Sequence, residues 1–255
     1  MSAAIVTGGS RGVGRAIVER LAGQGYDVVF SYRREVAAAE ELARSLSSSS
    51  GRSVTAVAAD LAVEGEARRL GERALERVGT PDVVVGNAGQ ASRGQSVTDS
   101  ARGEYERLFA VSVLSNVELA ATVLPAMRAA GSGSFVFVGS TVSDTQPAGS
   151  GPYAVSKTAL DAVARVLALE ERVHGIRVNV VAPGLVATDM GDRLVRASAG
   201  SRQAADLDAR YPFGRVCRPE DIADAVVALA DATMSYVTGQ RLIVDGGGPA
   251  AAIVP

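Results

Sequence analysis

Thr7-Gly8-Gly9-Ser10-Arg11-Gly12-Val13-Gly14 is the stretch on which the fold of this chain turns. A short aliphatic run, Ala3-Ala4-Ile5-Val6, precedes it and reads as a strand. Behind it Ile17, Val18, Leu21 and Ala22 recur at helical spacing. A glycine-rich turn between a strand and a helix lets backbone approach a pyrophosphate and aims the helix N-terminus at its charge. The spacing is Gly-x-x-x-Gly-x-Gly, distinct from the commoner Gly-x-Gly-x-x-Gly fingerprint.

The same alternation continues along the chain. β-branched or aliphatic runs predict strands over 3–7, 27–31, 53–58, 82–86, 134–139, 176–181 and 241–245. Amphipathic segments predict helices over about 12–24, 35–47, 62–78, 104–130, 153–174 and 219–231. Strict alternation of strand and helix implies a parallel sheet with helices on both faces and right-handed crossovers. No long linker interrupts it, so 1–255 reads as one domain. Ser47-Ser48-Ser49-Ser50-Gly51 reads as a loop closing the second helix. Residues 185–214 lack a strand and follow Pro183-Gly184 directly; a segment of that length is a lid or a mobile element. Its Met190, Leu194, Val195, Tyr211 and Phe213 offer either an apolar inner face or packing for short helices of its own.

Composition narrows the function. Net charge is −2 with both signs interspersed, which suggests neither nucleic acid nor an anionic membrane as partner. Cys217 is the single cysteine, so no intrachain disulfide forms, and His174 is the single histidine, at a predicted helix end. No Cys/His spacing suits a metal. No run approaches the roughly 18 uninterrupted apolar residues of a membrane span. The first strand begins almost at Met1, leaving no room for a signal peptide, and the expectation is a cytoplasmic protein.

The chemistry is carried by Tyr153-Ala-Val-Ser-Lys157, thirteen residues after Ser140. Tyr and Lys four apart lie about one helical turn from each other. An ammonium that close favours the tyrosinate, making the phenol a better proton donor near neutral pH. Phenol, ammonium and hydroxyl together can hand a proton to a carbonyl oxygen.

With Asp60-Leu61, Asn87-Ala88-Gly89, Val178-Asn179-Val180-Val181-Ala182-Pro183-Gly184 and Gly239-Gln240-Arg241-Leu242-Ile243-Val244-Asp245-Gly246-Gly247, these motifs resemble the short-chain dehydrogenase/reductase family over nearly the whole chain. The resemblance implies an α/β, Rossmann-type, doubly wound seven-stranded parallel sheet. It implies that Ser140, Tyr153 and Lys157 are catalytic, with Lys157 also bridging to the nicotinamide ribose. Gly8, Ser10, Arg11, Gly12, Val13 and Gly14 would cradle the cofactor. Asp60 would bind the adenine amino group with Leu61 along the ring, and Asn87, Ala88 and Gly89 would lie beside the adenine ribose. Pro183, Gly184, Val186 and Thr188 would embrace the nicotinamide, and 185–214 is placed as the substrate lid.

An acid after the second strand would bind a ribose 2′-hydroxyl and repel a 2′-phosphate. Here Ser31-Tyr32-Arg33-Arg34 stands there, and with Arg11 it favours NADP(H). Glu35, next in line, is expected to start the following helix, where it complements the dipole.

Three departures bear on function. Ser112 stands where the family usually has an Asn holding a water of the proton relay, with Asn116 one turn later. Gly131 and His174 stand where carrier-protein reductases have basic residues, so the dock for an acidic carrier looks weak. Ser150 replaces the usual Gln three residues before the tyrosine. The resulting expectation is an NADPH-dependent ketone reductase acting on a small-molecule carbonyl compound and forming dimers or tetramers. An Arg/Ala-rich chain whose only lysine is Lys157 suggests a high-GC bacterium and polyketide tailoring. The alternatives are a 3-oxoacyl-carrier-protein reductase, an NAD-dependent alcohol or sugar dehydrogenase, and a catalytically silent dinucleotide sensor.

Overall fold

The structure, a computed structural model, describes residues 2–198 and 200–248. Seven parallel strands form one sheet in the order β3-β2-β1-β4-β5-β6-β7. They are β1 (Ala3–Val6), β2 (Asp27–Tyr32), β3 (Val54–Ala58), β4 (Val83–Gly86), β5 (Gly133–Val138), β6 (Ile176–Pro183) and β7 (Arg241–Val244). β1 and β4 are fully buried along their length, as expected of central strands covered on both faces.

Helices α1 (Gly12–Gly23), α2 (Val36–Ser50) and α3 (Glu66–Val78) follow the first three strands. Then come α4 (Arg102–Phe109), α5 (Ser115–Ala130), α6 (Val142–Thr145), α7 (Gly151–Glu171), α8 (Asp189–Ser198) and α9 (Pro219–Ala230). Ile17, Leu21, Leu42, Ile222 and Val226, from α1, α2 and α9, pack with Val6, Phe30 and Val181 on one face of the sheet. Leu70, Leu119, Met127 and Leu160, from α3, α5 and α7, pack with Ile5, Phe135 and Val178 on the other. The strand order reverses between β1 and β4, so loops leaving those strands diverge and open a crevice at their carboxyl ends.

Several expectations need correction. Ser47–Ser50 are the last turn of α2, which Gly51 ends in the left-handed conformation. The Ser47 hydroxyl accepts from Val54 N at 3.1 Å and the Ser50 hydroxyl donates to Leu46 O at 2.6 Å, so the serines pair locally within a helix. α3 starts at Glu66 rather than 62, because Gly65 at φ 81° breaks the run. The helix placed at 104–130 spans Arg102–Ala130 and carries a π-helical turn at Ala110–Leu114. Against the expectation of no membrane-length segment, this stretch is long and apolar enough to span by length and composition. More than half of its most apolar part is buried inside the protein.

Residues 185–214 hold α8 and a 3₁₀ helix, Ala204–Arg210. Val195 and Tyr211 pack with Ala204, Leu207 and Val216 into a small core of their own, while Leu194 and Phe213 are exposed. For Val195 and Tyr211 the packing alternative is therefore the right one. Of the predicted 1–255 unit, Met1, Ala199 and 249–255 lie outside the described residues.

Candidate active site

The site assembles at the carboxyl ends of β1, β4, β5 and β6. At its floor, Asn87 follows β4 and fixes the glycine turn. Its Nδ2 donates to the carbonyls of Thr7 at 2.9 Å and Gly8 at 3.1 Å, and the Thr7 hydroxyl accepts from the backbone N–H of Asn87 and of Ala88, each at 2.9 Å. A Cβ on Gly14 would lie 2.1 Å from the Gly8 carbonyl oxygen, so only glycine lets α1 pack this closely on the turn. Gly8 and Gly12 have φ of 67° and 53°, which favours glycine at both. α1 begins without a side-chain cap, and backbone N–H groups remain to serve an anion there.

At the end of β2, Tyr32 is buried while Arg33 and Arg34 are exposed. Arg11 pairs with Glu35 at 3.4 Å and with Asp189 at 3.5 Å. Glu35 thus turns back onto the glycine loop, where the Ser10 hydroxyl also donates to it at 3.4 Å, instead of serving only the start of α2. A guanidinium within ion-pair distance outcompetes the partial charge of a helix end. Among the described residues Arg33 and Arg34 make no such pair. Asp60 accepts from Ala62 N at 3.2 Å in the turn after β3, and Leu61 beside it is buried.

Ser140 follows β5, and Tyr153 and Lys157 lie one turn apart on α7. Lys157 is almost wholly buried, its Nζ donates to the Val138 carbonyl at 2.8 Å, and it lies 5.8 Å from the Tyr153 ring centroid. A Cβ on Gly89 would sit 3.6 Å from that Nζ, which brings the loop after β4 to the same point. Burial pulls the Lys157 ammonium down to about 8, with Asp161 opposing. Burial pushes the Tyr153 phenol up, and the neighbouring Ser140 hydroxyl pulls it back. The Lys157 ammonium is turned toward Val138, and enclosure of the Tyr153 ring is the largest influence on its phenol.

The Ser112 side chain is fully buried in the π-helical turn, and its hydroxyl has no hydrogen-bond partner in the protein. A π-turn displaces carbonyls from their usual partners, and here the next turn recaptures two of them. The Ser115 hydroxyl donates to Val111 O at 2.7 Å, and Asn116 Nδ2 donates to Ser112 O at 2.8 Å.

From β6, the Pro183 carbonyl accepts from Thr141 N at 2.9 Å, tying this strand end to the residue after Ser140. Gly184 lies against Asp245, where a Cβ would approach to 2.7 Å. Val186 is buried, and the Thr188 methyl would meet a Cβ on Gly12 at 3.4 Å, so the start of the 185–214 segment abuts the glycine loop. The structure therefore brings the predicted glycine-loop, Asn87, Ser140, Tyr153, Lys157, Pro183 and Thr188 positions around one crevice. Sequence reasoning missed Asp161 and Arg241 behind Ser140; an acid four residues after Lys157 was the available signal.

The arrangement can hold an extended dinucleotide along the strand ends and deliver a proton at its far end. Residues 8–248 match the family described as enoyl-(acyl carrier protein) reductase. The "Granaticin polyketide synthase putative ketoacyl reductase 2" of Streptomyces violaceoruber is 38% identical over 251 residues, covering 96% of this chain and 94% of its own length. The 3-oxoacyl-(acyl-carrier-protein) reductase FabG of Salmonella typhimurium is 33% identical over 244 residues, 96% of each chain. Among solved structures, a blue fluorescent protein from a metagenomic library in complex with NADPH superposes with a TM-score of 0.87. It is 35% identical and 98% of each chain is covered.

Proposed function

Because the chain belongs to the short-chain dehydrogenase/reductase family and is an oxidoreductase, we propose that it reduces a ketone to a secondary alcohol with NADPH. The observation that carries this reading is the convergence of Ser140, Tyr153 and the buried Lys157 beside the crevice at the β1/β4 reversal. The glycine turn, its uncapped helix start and Arg11, Arg33 and Arg34 fit a dinucleotide with a 2′-phosphate. Asp60 and Leu61 serve the adenine, Asn87, Ala88 and Gly89 the adjoining ribose, and Pro183, Gly184, Val186 and Thr188 the nicotinamide.

When bound, the nicotinamide supplies the hydride. Tyr153 donates its phenolic proton to the carbonyl oxygen as negative charge grows there, and Ser140 donates a hydrogen bond to the same oxygen. Lys157, an ammonium below about pH 8, stabilises the tyrosinate left behind and holds the nicotinamide ribose.

Ser112 belongs to the proton relay in this proposal. Ser112→Ala removes a buried hydroxyl without a protein partner, so thermal stability is expected to hold or rise. Turnover is expected to fall by less than a decade, because water partly refills the gap. Unchanged turnover removes Ser112 from the catalytic set.

We further propose one domain with 185–214 as its substrate lid, a cytoplasmic location, and a homo-oligomer. Val155, Val166 and Leu169 on α7 and Val117 on α5 are exposed, which supports association through these helices. The substrate class we favour is a free, bulky, apolar ketone of polyketide tailoring, supported by likeness to the granaticin relative. The pairing of Arg128 with Glu171 supports it too, since that cation is already engaged and less available to an acidic carrier.

The test is NADPH oxidation across a panel of cyclic ketones, quinones and a 3-oxoacyl thioester, repeated with NADH. Turnover of ketones with NADPH preferred is expected. Turnover confined to the carrier-linked thioester would transfer the assignment to fatty-acid reduction, and none at all would favour a silent dinucleotide sensor.

A further inference from the structure

Behind Ser140, on the side away from the crevice, sits a polar cluster joining three elements. Arg241 of β7 donates from one terminal nitrogen to the Ser140 carbonyl at 2.7 Å and from the other to Asp144 of α6 at 2.7 Å. Its Nε lies 3.0 Å from Asp161 of α7, and both of these side chains are more than four-fifths buried. Asp161 is one turn beyond Lys157 on the same helix. Its other oxygen is buried beside the Ser143 hydroxyl, which favours the carboxylate. That oxygen would meet a Cβ on Gly139 at 3.1 Å. Of the three consecutive residues that end in Ser140, Val138 is thus held by Lys157 and Ser140 by Arg241, while Gly139 N donates to the Val181 carbonyl at 2.7 Å.

A buried carboxylate acts on any titratable group close to it. The group within reach is Lys157. The titratable and charged groups around the cluster are Tyr153, Lys157 and Arg165 on α7, Asp144 on α6 and Arg241 on β7; β6 presents Val178, Asn179 and Val180, all neutral. A small cleft of about 20 Å³, room for about one water, lined by Asp161, Arg165, Asn179, Gln240 and Arg241, opens beside the pair.

We infer that Asp161 and Arg241 are positioning residues of the catalytic centre: Arg241 braces the Ser140 main chain from behind and holds the Asp161 carboxylate, and that carboxylate, one turn along α7, supports the charge of Lys157. This rests on the proposed roles of Tyr153 and Lys157. Burial drives Lys157 toward its neutral form and the Asp161 carboxylate opposes that drive; burial also works against the Asp161 carboxylate, and Arg241 favours its ionised form.

Asp161→Asn, which is isosteric, and Arg241→Gln, which is shorter and neutral, test it. Lys157 is the only lysine, so selective ¹³Cε labelling gives one resonance whose titration reads the amine directly, without turnover. Asp161→Asn is expected to move the Lys157 midpoint acid-ward by about half a pH unit or more, and Arg241→Gln, which leaves a buried carboxylate without its cation, to move it acid-ward by less. The alkaline limb of kcat/KM should follow each shift. If Asp161→Asn does not fold, Arg241→Gln alone decides by the sign of its shift. Midpoints unmoved, or moved alkaline-ward, while only thermal stability falls would overturn the inference and leave a structural ion pair. Full activity in Tyr153→Phe would instead overturn the underlying reading of the site.

Discussion

Tyr153→Phe is expected to lower kcat by about two to four decades while leaving NADPH affinity nearly unchanged. Loss of a positioned general acid has that magnitude. The substitution removes one oxygen and leaves the ring, which packs within cation–π range of Lys157, so the fold has little reason to respond. Steady-state turnover, with cofactor binding followed by fluorescence, separates the two effects. Near-wild-type turnover in a folded variant would sink the proton-donor role and the reaction built on it.

The second large effect is expected in cofactor choice. Arg33→Ala combined with Arg34→Ala should weaken NADPH by one to two decades and leave NADH little altered. A charge-assisted hydrogen bond to a 2′-phosphate is worth roughly 1.5–3 kcal/mol before solvent screening reduces it at exposed residues. Arg11 will not replace them fully, because Glu35 and Asp189 already compete for its guanidinium. Titrating both cofactors at two salt concentrations checks the result. Equal losses for NADPH and NADH would reduce the two arginines to a solvated surface.

The parts of this molecule that sequence made readable are those written in short-range periodicity. The glycine turn announces itself because strand, glycines and helix are contiguous from Ala3 to Ala22. Tyr153 and Lys157 announce themselves because four residues make one helical turn. The π-turn at Ser112 was hidden, since one extra residue per turn barely perturbs an apolar pattern; its trace was the Ser115-Asn116 pair that recaptures two carbonyls. The serines at 47–50 misled because serine is neutral in helices and its local hydrogen bonds suit helix and loop alike. Glu35 does stand at the start of α2, as its N-cap, and its second role was the hidden one: its partner, Arg11, lies 24 residues earlier on a different turn. The Asp161–Arg241 contact was the least accessible. It depends on β7 lying beside β6, a fact of topology that no local window contains.

That last contact has a consequence for how the protein reaches its working form. β7 joins the sheet only at its edge, through β6, and its outward residues Leu242 and Ile243 stay half exposed. Arg177 on β6 helps to seat it, donating to the carbonyls of Leu229, Ala230, Asp231 and Val237 and so tying the end of α9 to the approach of the final strand. The Ser140 carbonyl therefore acquires its guanidinium partner from a residue about a hundred positions downstream. During refolding, helical signal can return with six strands paired while the backbone at Ser140 still lacks that partner. Recovery of turnover then becomes a clock for edge-strand docking, slower than recovery of secondary structure and sensitive to whatever slows the meeting of β6 with β7.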